Sequence, residues 1–485
     1  VVPTVSAHTT KATCASATPL SLLFNNSLSV GQLPEEWKKA IVVPVAKGGV
    51  ASEPGNYRPI SLTSVVSKVM ERIIVQQLSG YLFQHGLISS EQHGFVTGKS
   101  TSTNLLEALN DWTLTIDDKD GVTVAYVDYA KAFDSVSHSK LCHKLQGYGI
   151  SGNLLAWIQS FLRGRTLCTK VGNSFSTVEY LTSGVVQGSC LGPLLFVIYI
   201  NDVAKLFNQQ CVCKLYADDL KFYARTSLVD VNNFQHYFDS LLNWSNIWQL
   251  QISYKKCSVL HIGKSNVKCD FFLGRDTVAT VDIAKDLGIL VDSSLAFSHH
   301  INNIVSRAAA RANLIFKCFV SRNIDTMVRA FIVYVRPLLE FASCVWSPHL
   351  LKDINRIESV QRRFTKRLPG MADISYSERL DSLGMETLEL RRLQHDLLLT
   401  YKMLFGLLRV DSSAMFTLRS DPRTRGHQWK LYQSHNRLDR RKYFFCERVI
   451  APWNSLHITS DSVSSINRFK SLVKSADLSS FLHLT

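Results

Sequence analysis

Cysteine pairs in any metal-binding spacing are missing from this chain. Its eleven cysteines run from Cys14 to Cys446 with no CxxC among them, and the tightest spacing is Cys211 with Cys213 on a strand-like segment. That excludes a zinc site of the usual ligand spacing and predicts free, mostly buried thiols in a reducing compartment. Long apolar runs are missing too. The longest, residues 191–200, is interrupted by Gly192 and Pro193 and falls far below the roughly 20 residues a membrane span needs, so no membrane partner is expected. The chain has no internal repeat, heptad array or low-complexity tract, which excludes solenoids and coiled coils. It opens on Val1 without a basic segment and cleavage site, and reads as a fragment of a longer frame. Acidic residues are in deficit, with 39 Asp and Glu against 54 Lys and Arg and a formal charge of +15. Such an excess favours polyanions, nucleic acid first and an anionic membrane second, although a merely basic soluble surface carries the same charge.

What is present is a globular chain of 485 residues, 46% hydrophobic, long enough for two to four domains. Residues 19–28 predict a short helix and Leu33-Pro34-Glu35-Glu36-Trp37 a helix start or turn. Ile41-Val42-Val43 before Pro44 predicts a strand, and Lys47-Gly48-Gly49 a turn. Residues 64–82 place Val65, Val66, Val69, Ile73, Ile74 and Leu78 at amphipathic-helix spacing. Residues 122–127 form a β-type run that ends at Asp128, and residues 138–147 and 154–162 predict helices. The apolar runs 212–216 and 220–224 flank Ala217-Asp218-Asp219 as the arms of a tight hairpin. A long helix marked by Val231, Phe234, Phe238, Leu241 and Trp248 precedes a strand at 258–262. Strands and helices alternate without a strict βαβ repeat, so the first 290 residues read as α+β. Beyond about residue 295 helix patterns dominate, at 300–318, 325–334, 352–368 and 388–408. Basic residues cluster there, with Arg362, Arg363, Lys366 and Arg367 spaced to share one helix side.

Asp128 at a strand end and Asp218 and Asp219 at a hairpin bend would hold three carboxylates against one sheet. A lone Asp-Asp pair is usually a solvated turn. Hard oxygen donors on rigid strand ends are also what magnesium takes, and two such ions suit in-line phosphoryl transfer.

Tyr216-Ala217-Asp218-Asp219 and Asp128-Tyr129-Ala130-Lys131-Ala132-Phe133-Asp134-Ser135-Val136 resemble the catalytic motifs of reverse transcriptases of the non-LTR, LINE-type (jockey-like) retrotransposon class. In the family's order stand Asn56-Tyr57-Arg58-Pro59-Ile60-Ser61-Leu62, Gln92-His93-Gly94-Phe95, Gly184-Val185-Val186-Gln187-Gly188-Ser189 through Gly192-Pro193, and Lys256-Cys257. The resemblance is strong over about residues 30 to 290 and looser to about 410. It implies a right-hand polymerase with fingers and palm over 30–290 and a helical basic thumb over 295–410; outside it stand an N-terminal segment over 1–29 and a basic C-terminal region over 411–485 of unassigned role, whose Arg440-Arg441-Lys442 is expected from its charge to face nucleic acid.

The implied chemistry is RNA-directed DNA synthesis from a primer 3′-hydroxyl, with Mg2+, or Mn2+ in its place, held by Asp128, Asp218 and Asp219. The implied partners are RNA template, DNA primer, deoxynucleotides and the element's own RNA, in the cytoplasm and nucleus. By the same resemblance Phe133 would collide with a 2′-hydroxyl. Arg58 and Lys47 would grip the triphosphate. Gln187 and Gly188 would line the template and nucleotide pocket, and Pro193 would open a helix over 194–207. Lys256 would protonate the leaving pyrophosphate, although Ser253 stands where the family usually has Asn. Arg307, Arg311, Arg362, Arg363, Lys366 and Arg367 would grip the heteroduplex by its phosphates.

Gly94-Phe95-Val96-Thr97-Gly98-Lys99-Ser100 is one residue short of a P-loop and follows no predicted strand, so an NTPase is rejected. The rivals are a catalytically silent nucleic-acid-binding remnant and an RNA-templated RNA polymerase, against which Phe133 argues.

Overall fold

The structure is a computed structural model that describes residues 11–263, 269–419 and 427–484. The α+β architecture expected from the sequence is found, with sheets up to Asp292 and helices beyond.

Six strands form the central sheet, in the order Phe271–Leu273, Asp276–Val281, Ser258–Ile262, Val122–Val127, Asp219–Arg225, Cys211–Tyr216. Val122–Val127 lies in the middle, antiparallel to Asp219–Arg225 on one side and to Ser258–Ile262 on the other. Its residues alternate between two cores. Val122 and Val124 join a cluster with Trp112, Leu260 and the C-terminal helices, whereas Ala125 and Val127 join one with Phe196, Phe222 and Phe238. A strand covered on both faces must be apolar at every position, which is why this stretch shows no polar alternation.

The second face is covered by the helices Val65–Gln84, His138–Gly147, Gly152–Leu162, Gly192–Ile200 and Val231–Trp248. The helix expected over 194–207 ends at Ile200 and tightens into a 3-10 turn, Asn201–Leu206. The first face is covered by Thr101–Asp117, a helix the sequence reading passes over, and by Ser298–Cys318 and the helices after it. Ser100 caps Thr101–Asp117 in a reciprocal box with Thr103.

A smaller sheet pairs Lys39–Ala46 with Tyr57–Leu62 and with Thr166–Val171, to which Ser174–Phe175 and Glu179–Tyr180 attach. The described part of residues 411–485 packs inward. Met415, Phe416, Phe445, Ile450, Trp453 and Phe469 belong to the same core as Trp112 and Leu109. Arg437 donates to the carbonyls of Ile116 and Asp117, closing the C-terminal end of helix Thr101–Asp117, while Asp117 accepts from the amides of Arg437 and Leu438.

Candidate active site

The neighbouring strands Val122–Val127 and Asp219–Arg225 bring the acids together. Val127 pairs with Leu220, and one further step of that register sets Asp128 across from Asp219. Tyr216 pairs with Asp219, leaving Ala217 and Asp218 as a two-residue loop. Ala217 has φ +58° and Asp218 has no positive φ, the sign pattern of a type II′ turn. Glycine is the ordinary occupant of that first position. Alanine there costs on the order of 1 kcal/mol, so the carboxylates sit on a turn that its surroundings must hold.

Asp128, Asp219, Lys221, Lys256, Lys285 and Asp286 line a cavity of about 100 Å³. Burial pushes the Asp218 carboxyl up, with the charge of Asp128 adding and those of Lys256 and Arg58 opposing. Asp219 is pushed up to about 6, by the crowding of the cleft wall first and then by Asp218, Asp128 and Asp286. It is nevertheless open to solvent on its outer side. Lys256 Nζ lies 3.1 Å from Asp128 Oδ1. Its 3-10 turn, Tyr254–Lys256, is tied to the same strand end by the Ser253 amide, which donates to the Asp128 carbonyl at 2.8 Å.

The donors suit a hard divalent cation in kind, being carboxylate oxygens of which two are raised in pKa by burial first and by their neighbouring carboxylates second. Among the described residues no three His, Cys, Asp or Glu side chains stand close enough together to hold a metal ion in this arrangement, and one oxygen of Asp128 is taken by Lys256.

Of the residues expected to meet the nucleotide, Phe133 and Gln187 lie beside Asp134. Phe133, half-buried, stacks on Phe196 at 4.2 Å and 16° and meets Phe95 edge-on at 6.3 Å. Gln187 Nε2 donates to Asp134 Oδ1 at 2.8 Å, and the Gln187 carbonyl accepts from the Ser61 amide at 2.8 Å. Gly188 has φ +113° and passes so close to Ser61 that a Cβ would stand 2.5 Å from its carbonyl oxygen. Arg58 is exposed on the strand that carries Ser61, near enough for its charge to act on Asp218. Lys47 is exposed one residue past Lys39–Ala46, and only its backbone is tied down, its amide donating to the Asn56 carbonyl at 2.7 Å.

Residues 45–289 match the family model described as reverse transcriptase (RNA-dependent DNA polymerase). The chain belongs to the reverse transcriptase family. Such a polymerase family implies a divalent metal and a nucleic-acid template and primer. The chain is 27% identical to the RNA-directed DNA polymerase from mobile element jockey of Drosophila melanogaster, over 72% of this chain and 40% of that protein. It is 28% identical to the probable RNA-directed DNA polymerase from transposon BS of the same organism, over 71% of this chain and 40% of that one. It thus spans about 40% of the length of these curated relatives. Among solved structures, apo telomerase from Candida tropicalis matches with TM-score 0.44 at 11% identity, over 79% of this chain and 66% of that one, too loose a likeness to argue from. No helix among the described residues is long and apolar enough to cross a membrane.

The reverse transcriptase's basic helices divide into free and committed side chains. Arg307 and Arg311 on Ser298–Cys318, and Arg363 and Lys366 on Leu351–Lys366, are exposed and make no hydrogen bond or ion pair among the described residues. Arg362 instead lies over the Tyr376 ring at 4.9 Å. Arg367 lies over Phe316 at 3.9 Å and donates to Asn313 Oδ1 at 2.7 Å. Arg441, expected to face nucleic acid, is 4% exposed. It donates to Asn110 Oδ1 at 2.8 Å and pairs with Glu447 at 3.4 Å.

Sequence reasoning missed the hairpin of Ile283–Asp286 and Ile289–Asp292, whose Lys285, Asp286 and Leu287 border the cavity. Asp286 is there paired with Lys221 at 2.5 Å, both buried. The apolar run Ile289-Leu290-Val291 after Gly288 was the signal that could have found its second strand.

Proposed function

We propose that this chain is the polymerase of a non-LTR retrotransposon, adding deoxynucleotides to a primer 3′-hydroxyl on an RNA template. The observation that carries the reading is the meeting of Asp128, at the end of Val122–Val127, with Asp218 and Asp219 at the turn into the neighbouring strand Asp219–Arg225. The identities with mobile-element polymerases support the template and the sugar.

Asp128, Asp218 and Asp219 would hold Mg2+, with Mn2+ able to replace it. When bound, the ions supply an acidified 3′-hydroxyl and charge neutralisation at the leaving oxygen. The chain's own groups do the rest. Arg58 presents a fork and Lys47 a point charge to the triphosphate, and Gln187 and Gly188, packed tightly on Ser61, line the pocket of the template and the nucleotide. Phe133, braced by Phe196, occupies the space a 2′-hydroxyl would need. Lys256 gives up Asp128 and donates a proton to the departing pyrophosphate. Arg307, Arg311, Arg362, Arg363, Lys366 and Arg367 face the phosphates of the primed RNA, the first two, Arg363 and Lys366 with no competing partner among the described residues. The enzyme works inside the cell, in cytoplasm and nucleus, on the element's RNA.

Primer extension on an RNA template with deoxynucleotides and Mg2+, beside an Asp218→Ala, Asp219→Ala control, tests this. Incorporation that disappears in the control is expected. A parent chain that binds primed template and incorporates nothing would replace the reading with that of a silent remnant.

A further inference from the structure

We propose that Gln92 is a positioning residue for the acids: its buried amide oxygen holds the turn that aims Asp218 at Asp128. The proposal rests on the polymerase reading for the role of the acids, and on the following geometry for the role of Gln92.

Residues 91–94 lie as a stub of strand against the outer edge of Cys211–Tyr216. Gln92 bridges to Leu215 in parallel fashion. The Leu215 amide donates to the Glu91 carbonyl at 2.9 Å, and the His93 amide to the Leu215 carbonyl at 2.8 Å. From this stub the Gln92 side chain, 0% exposed, reaches the hairpin loop. Its Oε1 accepts from the Ala217 amide at 3.0 Å and from the Gly94 amide at 2.7 Å. Ala217 is the residue in the left-handed conformation, so the bond falls on the one peptide of the loop least able to hold itself. Gly94 admits the loop to this distance, because a Cβ there would stand 2.3 Å from the Ala217 nitrogen.

The choice of an amide is itself informative. Gln92 Nε2 is buried without a hydrogen-bond partner among the described residues. A side chain kept only to fill space would be better as leucine or methionine, which bury no unpaired donor. The oxygen is the part in use, and the nitrogen is the cost of having it.

The stub is anchored from behind. Lys214 bonds Glu91 and Glu107 at 2.6 Å each, and His93 Nδ1 meets Thr103 Oγ1 at 2.8 Å, so Glu107 and Thr103 of the buried helix Thr101–Asp117 serve as the fixed frame. At its other end the stub continues into Phe95, which is 56% exposed and edge-on to Phe133. One short segment thus touches both the acid-bearing loop and the nucleotide-side aromatic.

The test uses the full chain with Gln92→Leu, which removes the acceptor, and Gln92→Glu, which keeps it. Three readouts are taken: hydrogen exchange of the amides at 216–219, Mn2+ affinity, and steady-state primer extension. Gln92→Leu is expected to speed exchange at 216–219 at least about tenfold while leaving Val122–Val127 unchanged. It is expected to weaken Mn2+ binding, and to lower kcat by on the order of 10- to 100-fold with the deoxynucleotide KM within about twofold. Gln92→Glu is expected to restore most of each. Parental exchange and kcat in Gln92→Leu, faster exchange spread evenly over the central sheet, or a Gln92→Glu chain as impaired as Gln92→Leu would overturn the proposal. If the parent itself extends no primer, the polymerase reading fails, and exchange and Mn2+ affinity still decide the role of Gln92.

Discussion

Replacing Gly94 by alanine is the sharpest perturbation available, because the glycine has no positive φ and the added methyl acts by collision alone. That methyl would stand 2.3 Å from the Ala217 nitrogen, 2.9 Å from the Tyr216 carbonyl carbon and 3.1 Å from the Ala217 Cα. All three are backbone atoms with no rotamer to swing away. Ordinary contact begins at 3.4 Å, so the acid-bearing loop must retreat by about 1 Å. Overpacking of that kind costs about 1–3 kcal/mol of stability. A 1 Å misplacement of a reacting group lowers a rate by about 10²-fold, roughly 2.7 kcal/mol of barrier. The assay is single-nucleotide extension of a primed RNA, with kcat and KM resolved and thermal unfolding followed in parallel. Gly80→Ala is the matched control, since nothing lies within 4 Å of a Cβ there. We expect kcat for Gly94→Ala to fall about 100-fold with little change in KM. A variant within twofold of the parent would show that the stub and the loop do not bear on one another.

Four further outcomes are expected. Because Asp219 is raised to about 6 from 3.8 and Asp218 is raised as well, the folded chain retains protons that the unfolded chain loses. Stability should then fall as pH rises from about 4 to about 6, and a bound divalent cation should recover it. The thermal shift on adding Mg2+ should be larger at pH 8 than at pH 5 and absent in an Asp218→Asn, Asp219→Asn chain; equal shifts at both pH values would contradict this. Phe133→Ala should raise ribonucleotide incorporation about tenfold or more in competition assays, whereas unchanged sugar discrimination would remove Phe133 as the gate. Arg363→Ala with Lys366→Ala should lower the salt slope of primed-template binding by about two without changing kcat at saturation, and an unchanged slope would place both side chains off the nucleic acid. Arg441→Ala should destabilise the fold by about 3–5 kcal/mol in denaturant titrations, by leaving Glu447 buried without its cation, while an exposed charge would cost almost nothing.

The placing of the acids was legible in the sequence from an unbroken β run before Asp128 and two apolar arms around Ala217-Asp218-Asp219, while their chemistry was legible only through the resemblance of both motifs to those of reverse transcriptases. Helices with one apolar stripe, such as Val231–Trp248 and Ser298–Cys318, were legible for the same reason. Thr101–Asp117 was not. It buries Thr103, Asn104, Asn110, Thr113 and Thr115 together with its leucines, so it shows no stripe and its polar residues read as loop. The strand Thr166–Val171 escaped notice because it is only partly covered and offers Thr, Cys and Lys in place of an apolar run. Gln92 could be recognised as part of a motif, but its task depends on a loop 125 residues away along the chain. The C-terminal residues failed for want of length. Helices such as Phe445–Arg448 and Ile450–Ser455 are too short to show a period, and their apolar side chains make sense only against Leu109 and Trp112.

That last packing bears on how copies of such a gene would be judged intact. The family motifs end by residue 289, yet Trp453, Phe469 and Leu478 complete the core behind the central strand, and Arg437 closes the end of the helix on which the Gln92 stub is braced. A premature stop or frameshift near codon 410 would spare every motif and every carboxylate while stripping the sheet of part of its backing. Selection on this stretch would then be strict about volume at the packed positions and about the buried pairs Arg441–Glu447 and Arg448–Asp396, tolerating exchanges among Leu, Met and Phe and rejecting any new charge without a partner. An inventory of copies that stops at the last motif would count dead genes as living ones.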